Sequence, residues 1–232
     1  MSTFDLVIFD CDGVLIDSEV ISARMLVAEL AAHGVSVDLP YIARHFLGRS
    51  YPVVLDQIRR DFGVALPEGF EAEYRARLLA AFDAELKIMP GVRGVIGALG
   101  VPYALATSSS PARLAHTLRL VGLDTMFDGR ITTATEVSRG KPDPDMFLLV
   151  AEKFGVDPSR CLVIEDSYPG VRAGLAAGME TWRFTGGSHL VGLDLTPDAA
   201  AVPHRTFASF AEFFHLAPGL EKGRQSDGQN RR

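Results

Sequence analysis

Residues 6–15 read LVIFDCDGVL, a stretch in which four apolar residues lead directly into two carboxylates, Asp10 and Asp12. A short apolar run of this kind is typical of a buried parallel strand. Open α/β sheets bind ligands at the carboxyl ends of such strands, and Asp10 would lie there. Gly13 indicates a turn that lets the backbone approach a ligand. The two carboxylates are candidate ligands of Mg²⁺, although Asp-x-Asp pairs are also common in solvated turns and helix caps.

Composition narrows the class of protein. The chain has 232 residues, 47% of them hydrophobic, which is enough for a sizeable core and a smaller second lobe. A net charge of −6 and the lack of a basic stripe argue against a nucleic-acid partner. No apolar run approaches the ~20 residues that span a bilayer, so we expect no membrane partner. Cys11 and Cys161 are expected to be small buried side chains in a cytoplasmic protein rather than a disulfide.

The pattern of apolar residues differs between two regions of the chain. Amphipathic helices are predicted at 19–33, 39–46, 51–63 and 68–85, with no convincing strand between 18 and 86. From Pro90 onward, short apolar runs alternate with helical segments, and strands are predicted near 103–106, 130–133, 161–164 and 181–184. Strands that alternate with helices predict a parallel sheet covered on both faces.

Together, the two patterns predict an α/β fold with a Rossmann-like parallel-sheet core covered by helices and an inserted all-helical cap domain. The core is expected to comprise residues 1–16 and 88–216, and the cap residues 17–87. Residues 217–232 are expected to form a disordered tail, because the last twelve residues carry no apolar side chain.

Polar clusters follow the predicted core strands. In chain order they are Asp10 and Asp12; Thr107, Ser108 and Ser109; Lys141; and Glu165 and Asp166. Taken singly, they could be a serine-rich turn, a solvated loop lysine and a helix N-cap. Taken together, and with the helical insertion after the first cluster, they resemble the haloacid dehalogenase superfamily of aspartate-nucleophile phosphotransferases. The resemblance covers nearly the whole chain.

The resemblance implies roles for the first cluster. Asp10 resembles the nucleophile, which attacks phosphorus and forms an aspartyl phosphate. Asp12 resembles the general acid and base, and its backbone carbonyl would also ligate the metal. The haloalkanoic acid dehalogenases of the superfamily lack this second aspartate, so Asp12 favours phosphate chemistry.

The other clusters take the remaining roles that the resemblance implies. Thr107, the Ser108 amide and the Ser109 hydroxyl would hold the phosphoryl oxygens. Lys141 would orient the nucleophile and offset the charge that builds on the phosphoryl group. Asp166 would ligate Mg²⁺, and Glu165 would support the metal directly or through water.

A mutase of the same family is the main alternative to a phosphatase. The related phosphoglucomutases carry a histidine where this chain has Ser22, and an arginine where it has Tyr51. Both departures favour hydrolysis of a small phosphorylated metabolite. Residues 18–21, 82–86 and 178–180 resemble the sugar-phosphatase branch that includes 6-phosphogluconate phosphatases. Arg49 is a possible substrate contact in the cap, or an ordinary surface arginine.

Two further classes stay open. A phospho-acceptor signalling domain also clusters aspartates, a hydroxyl and a lysine around Mg²⁺, but it has no helical insertion after its first strand. A catalytically silent metabolite-binding protein of this fold would have lost a motif residue, and none is lost here. The six histidines show no metal-ligand spacing and receive no role, and the sequence does not decide between a monomer and a dimer.

Overall fold

The computed structural model describes residues 4–38, 41, 42, 45, 46, 49, 51–64, 66–193 and 199–223. Within these residues a parallel sheet of six strands has the order β3-β2-β1-β4-β5-β6. The strands are β1 Leu6–Phe9, β2 Tyr103–Thr107, β3 Ile131–Thr133, β4 Cys161–Glu165, β5 Glu180–Phe184 and β6 Arg205–Phe207. The predicted α/β fold with a parallel, Rossmann-like sheet is therefore confirmed.

Helices cover the sheet and fill the insertion. They are α1 Glu19–Ala32, α2 Tyr51–Phe62, α3 Phe70–Glu85, α4 Val92–Ala98, α5 Pro111–Leu120, α6 Asp145–Phe154, α7 Tyr168–Ala176 and α8 Phe213–Leu216. Two of them begin with a serine whose side chain accepts a backbone N–H, Ser110 at α5 and Ser167 at α7. Such caps satisfy amides that a helix leaves unpaired, and here they fix where the helices beside the predicted site begin.

Strand β1 lies at the centre of the core and is buried on both faces. Val7 and Phe9 belong to the apolar cluster on one face, and Leu6 and Ile8 to the cluster on the other. Alternate residues of a strand point to opposite faces, so four consecutive apolar side chains serve both layers of helices. The end of β1 is consequently held by buried contacts on both faces of the sheet.

The insertion has an apolar cluster of its own. Helices α1, α2 and α3 bury side chains such as Leu30, Ile58 and Phe82 against each other. The helices predicted at 19–33, 51–63 and 68–85 are confirmed, with ends that differ by one or two residues. The one predicted at 39–46 lies partly outside the described residues. The chain enters and leaves the insertion side by side, since the Asp17 amide donates to the Lys87 carbonyl across 2.9 Å.

The expected tail requires a correction. Residues 217–223 pack on the core instead of forming a disordered segment: Leu220 is 1% exposed, and the Lys222 amide donates to the Ala98 carbonyl. The physical reason is that Ala217 and Leu220 are buried and extend the apolar cluster beyond α8. The remainder of the predicted tail, from residue 224, lies outside the described residues. Among the helices that the structure describes, none is long and apolar enough to span a bilayer.

Candidate active site

The predicted clusters meet at one edge of the sheet. Strands β2 and β4 flank β1, so Thr107, Asp10 and Glu165 come from three adjacent carboxyl ends. The Asp10 amide donates to the Ile164 carbonyl across 2.9 Å, which continues the β1–β4 ladder and fixes the backbone of Asp10. Side chains 97 or more residues apart in the chain therefore share one site.

Lys141 joins two of the clusters. Its Nζ donates to Asp10 Oδ1 at 2.5 Å, to Glu165 Oε1 at 2.7 Å and to the Ala106 carbonyl at 3.1 Å. Its side chain is 1% exposed. Burial lowers the pKa of Lys141, but the two carboxylates outweigh that effect and hold its pKa above the usual range. The ammonium is therefore charged and points at the predicted nucleophile.

Three buried carboxylates gather beside this ammonium. One oxygen each of Asp10, Glu165 and Asp166 lies within 4.8 Å of the others. Burial and the neighbouring carboxylates raise the pKa of Asp10 and of Asp166, although Lys141 opposes the shift. Asp166 Oδ2 is buried and makes no aligned hydrogen bond among the described residues, although His189 Nε2 lies 2.8 Å from it. Excess negative charge and an orphaned buried oxygen fit a divalent cation with oxygen ligands.

Glu165 accepts more hydrogen bonds than Asp10 or Asp166 does among the described residues. Its Oε2 accepts from the amides of Asp166 and Ser167 and from the Ser167 hydroxyl, each at 2.9 Å, while Oε1 faces Lys141. A Cβ on Gly170 would lie 1.8 Å from Glu165 Oε1, so the glycine makes room for this carboxylate under α7. Asp10 and Asp166 consequently keep more free lone pairs for a metal than Glu165 does.

Asp12 lies in front of Asp10 and is held by three donors. They are the Ser18 hydroxyl at 2.5 Å, the Ser109 hydroxyl at 2.6 Å and Arg113 Nη2 at 2.6 Å. Burial raises the pKa of Asp12, but Arg113 and the two hydroxyls outweigh it and bring the pKa below its usual value. A carboxylate fixed in this way is ready to accept a proton.

Sequence reasoning missed Arg113. It lies on α5, where an arginine is ordinarily a solvated residue, and only the fold brings it to Asp12. Its Nη2 also lies 3.3 Å from the Ser22 hydroxyl, and its guanidinium is 5.1 Å from the centroid of the Phe82 ring. Arg113 thus links the core aspartate to two helices of the insertion. Ser22, which replaces the mutase histidine, accepts this contact.

The hydroxyls of Thr107 and Ser109, in the predicted phosphate-binding loop, are engaged in hydrogen bonds within the protein. Thr107 Oγ1 accepts from the Ser109 amide at 3.0 Å, and the Ser109 hydroxyl is engaged with Asp12. Ser108 lines the neighbouring cavity. The structure therefore brings Thr107, Ser108 and Ser109 to the site, but it places the Ser109 hydroxyl on the predicted acid and base rather than facing open space.

A cavity of about 390 Å³ extends from these residues to the insertion. Asp10, Asp12 and Ser108 line one side, and Arg49 reaches the other. Much of the remaining wall is apolar and includes Leu26, Ile42, Phe46, Val54 and Leu78. Its size suits a small metabolite rather than a polymer.

Glu19 is a further residue of the cavity wall to which sequence reasoning gave no role. It begins α1, directly after Ser18. Burial and the nearby Asp12 raise its pKa to about 7, against the opposing charges of His189 and Arg113. A carboxyl group that changes charge near neutral pH consequently faces the substrate side of the site.

His189 also lies at the site, although no role was predicted for it. Its Nε2 is 2.8 Å from Asp166 Oδ2, and its side chain is 5% exposed. The preceding Ser188 donates through its amide and its hydroxyl to Asp17 Oδ1, at 3.1 and 2.8 Å. The only sequence signal is the adjacent Gly186-Gly187, which allows the loop to approach closely.

Comparison with known proteins agrees with this geometry. The family model of haloacid dehalogenase-like hydrolases matches residues 4–178. The 6-phosphogluconate phosphatase of Escherichia coli K12 is 30% identical over 82% of this chain and 86% of its own length. A phosphatase of phosphorylated carbohydrates from Thermotoga maritima is 32% identical over 76% of this chain and 82% of its own.

A solved structure extends the likeness to nearly the full length. It is a HAD family hydrolase of Deinococcus radiodurans with bound phosphate and sodium, 36% identical, with a TM-score of 0.72. The match covers 96% of this chain and 99% of that one. From the family match, these likenesses and the site described above, the chain belongs to the haloacid dehalogenase-like hydrolase family.

Proposed function

We propose that the protein is a Mg²⁺-dependent phosphatase that hydrolyses a small phosphorylated carbohydrate through an aspartyl-phosphate intermediate. The enzyme class, phosphoric monoester hydrolase, follows from the family and from its phosphatase relatives. The observation that carries the mechanism is the arrangement at β1. Asp10 accepts from the Lys141 ammonium and has an oxygen within 4.8 Å of one of Asp166, and Asp12 lines the same cavity.

The metal would be held by Asp10 and Asp166, with the backbone carbonyl of Asp12 as a third ligand and Glu165 acting mainly through Lys141 and Ser167. When bound, Mg²⁺ offsets the charge of the phosphate and of the carboxylates. Lys141 contributes a further positive charge on the same side, because it donates to the nucleophile itself. Together these groups allow an anionic nucleophile to meet an anionic substrate.

The chain's own residues then divide the reaction into two displacements. In the first, Asp10 attacks phosphorus and the bond to the leaving oxygen breaks, while Asp12, in its protonated form, gives that oxygen the proton that it recovers in the second step. In the second, Asp12 takes a proton from water as the water attacks the aspartyl phosphate, so that phosphate leaves and Asp10 is restored. Ser18, Ser109 and Arg113 hold Asp12 in position for both transfers.

Hydrolysis is favoured over transfer to a second sugar position. Ser22 occupies the place of the mutase histidine, and its hydroxyl donates to the Ser18 carbonyl at 2.9 Å. It is thereby tied to its own helix. Tyr51 replaces the mutase arginine at the start of α2. Without the histidine and the arginine of the mutases, the cavity has fewer groups that could bind a doubly phosphorylated sugar while it reorients.

Sugar phosphates and sugar-acid phosphates are the proposed substrates, with 6-phosphogluconate as one candidate. The volume of the cavity, the relatives named as phosphatases of 6-phosphogluconate and of phosphorylated carbohydrates, and the basic Arg49 support this class. We propose that residues 17–87 act as a cap that encloses such a substrate, since they form the outer wall of the cavity.

The test measures phosphate release from a panel of hexose phosphates, hexitol phosphates and 6-phosphogluconate, with Mg²⁺ and with EDTA. Wild type is compared with Asp10→Asn and with Asp56→Asn, a control at an exposed carboxylate. We expect release that depends on Mg²⁺ and on Asp10 but not on Asp56. Full activity of Asp10→Asn would contradict the nucleophile assignment. Conversion of a sugar 1-phosphate to its 6-phosphate without release would instead establish the mutase alternative.

A further inference from the structure

The ring of His189 lies against a carboxylate that the proposed metal site uses. Its Nε2 is 2.8 Å from Asp166 Oδ2, a hydrogen-bond distance. The pair is close enough for a hydrogen bond but is not aligned for one, and neither these two atoms nor Nδ1 of His189 makes any other hydrogen bond among the described residues. Buried polar atoms in folded proteins are rarely left in this state. The pair therefore calls for an explanation.

The surroundings of the ring are shaped to admit it. A Cβ on Gly13 would lie 2.1 Å from Asp166 Oδ2 and 2.9 Å from His189 Cε1. A Cβ on Gly187 would lie 2.5 Å from the same ring carbon. Two glycines from separate parts of the chain thus leave the space that His189 fills, and the ring reaches Asp166 through that space.

The loop that carries His189 is also anchored. Ser188 donates twice to Asp17 Oδ1, and the Leu190 amide donates to the Gly187 carbonyl at 3.1 Å. Leu190 is 4% exposed. Because these contacts anchor both neighbours of His189 and its side chain is 5% exposed, the ring has little freedom to leave Asp166.

His189 is in position to act on the metal site from outside the ligand set. The carboxylates that gather within 4.8 Å of one another are Asp10, Glu165 and Asp166, and His189 is not in that group. Imidazoles and carboxylates in such outer positions orient a ligand and tune its basicity. Because the ring is nine-tenths buried, its hydrogen bond to Asp166 would not be exchanged for water.

We infer that His189 is a positioning residue that donates from Nε2–H to Asp166 Oδ2 and so orients the carboxylate for the divalent cation. This inference rests on the proposed metal site. Loss of the donor should weaken cation binding, while loss of catalysis would follow only as a consequence. Second-sphere partners of this kind are typically worth about 10- to 100-fold in metal affinity.

The experiment measures the dissociation constant of Mn²⁺ by counting free Mn²⁺ with electron paramagnetic resonance, on the full chain and without substrate. The variants are His189→Leu, which removes the donor, His189→Gln, which keeps an N–H, and His215→Leu, a control on the exposed face of α8. We expect the constant to rise about 10- to 100-fold in His189→Leu and to stay near the wild-type value in the other two. An unchanged constant in His189→Leu, or an equal loss in His189→Gln, would overturn the inference.

A second measurement on the wild type does not depend on the folding of a variant. Nitrogen-15 histidine resonances, recorded with and without Mg²⁺, report which ring nitrogen carries the proton. We expect the proton of His189 on Nε2 in the Mg²⁺-loaded protein. An unprotonated Nε2 would overturn the inference. If the wild type binds neither Mn²⁺ nor Mg²⁺, the proposed metal site itself fails, and that result is distinct from a failure of His189 alone.

Discussion

Arg113 Nη2 donates to Asp12 Oδ1 across 2.6 Å, and this contact joins a core helix to the carboxylate proposed as acid and base. The same guanidinium lies 3.3 Å from the Ser22 hydroxyl of the insertion. Asp12 is therefore linked to the insertion through Arg113. A cap that moved would change the field at Asp12 as well as the shape of the cavity.

Replacing Arg113 should change both the rate and its pH dependence. Arg113→Gln removes a charge-assisted hydrogen bond, so we expect kcat/KM to fall about 10- to 100-fold. Without the guanidinium, burial dominates and the pKa of Asp12 rises. The acid limb of the pH profile of kcat, which includes hydrolysis of the aspartyl phosphate, should therefore move to higher pH, because Asp12 must be ionised to accept a proton from water in that step.

Arg113→Lys and Arg139→Gln are the matched variants for this prediction. Lysine keeps the charge but loses the planar fork, so its effect should be intermediate. Arg139 makes exposed ion pairs with Asp143 and Asp145, and its loss should leave the profile unchanged. Steady-state rates from pH 4.5 to 9 measure both effects. An acid limb that stays in place in Arg113→Gln would separate Arg113 from the titration of Asp12.

The sheet could be predicted from the sequence where a strand is buried on both faces. Leu6–Phe9 and Cys161–Glu165 are such strands, and their apolar runs mark them plainly. Strand β6 was missed because it has three residues, Arg205–Phe207, of which only the last is buried. Strand β3 is an edge strand of the same length, but two of its three residues are buried, and that strand was predicted.

Some residues of the candidate site could be predicted from the sequence, and others could not. Asp10, Lys141, Glu165 and Asp166 were predicted because each follows a core strand or precedes a helix in a recognisable motif. Arg113 was not, because it lies inside α5, where no motif marks it, and its contact with Asp12 depends on how α5 packs. His189 was missed for a similar reason: its ring reaches Asp166 only because the loop after β5 folds back over Gly13.

Replacing Gly13 with alanine should both strain the backbone and displace the Asp166 carboxylate. Its φ of 79° alone costs an alanine about 1–2 kcal/mol. In addition, the new Cβ would lie 2.1 Å from Asp166 Oδ2, so the carboxylate must move. We expect Gly13→Ala to lose stability and most of its affinity for Mg²⁺, as measured by urea unfolding and by Mn²⁺ binding.

Gly129→Ala provides the comparison. Its φ of 68° imposes a similar backbone cost, but a Cβ there meets nothing within 4 Å. We expect a modest loss of stability and unchanged metal binding. Equal metal affinities in the two variants would mean that the approach of Gly13 to Asp166 does not control the site.

Removing the charge of Lys141 should destabilise the fold itself. Lys141→Met leaves Asp10 and Glu165 without the ammonium that both contact, and the loss of one partner from a buried ion pair costs about 3–5 kcal/mol. The variant should gain stability as pH falls. The folded-state pKa of Asp10 is already raised by burial and would rise further, so the folded protein binds more protons than the unfolded chain does.

Urea unfolding at pH 5 and pH 8 tests this linkage, with Lys153→Met as control. Lys153 contacts Glu136 at 2.6 Å, but both side chains are more than a third exposed, so its loss should cost at most about 1 kcal/mol at either pH. If Lys141→Met were as stable as Lys153→Met at pH 8, the proposed charge balance at Asp10 would be wrong.

Glu19 should make the choice of substrate depend on pH. Burial and Asp12 raise the pKa of this carboxyl group to about 7, and it lines the cavity. Below that pH it is mostly neutral and tolerates a second anionic group on the substrate. Above that pH it is ionised and repels a carboxylate such as that of 6-phosphogluconate. We therefore expect kcat/KM for 6-phosphogluconate, divided by that for glucose 6-phosphate, to fall as pH rises from 6 to 8.

Glu19→Gln should abolish this trend, because the amide keeps the shape of the side chain without its titration. The ratio of the two kcat/KM values in the variant should then stay level between pH 6 and 8, near the wild-type value at low pH. Because both substrates share the phosphate and the catalytic groups, titration of Asp12 cancels in the ratio. A wild-type ratio that does not change with pH, or a trend that persists in Glu19→Gln, would show that the charge of Glu19 does not govern the choice between these substrates.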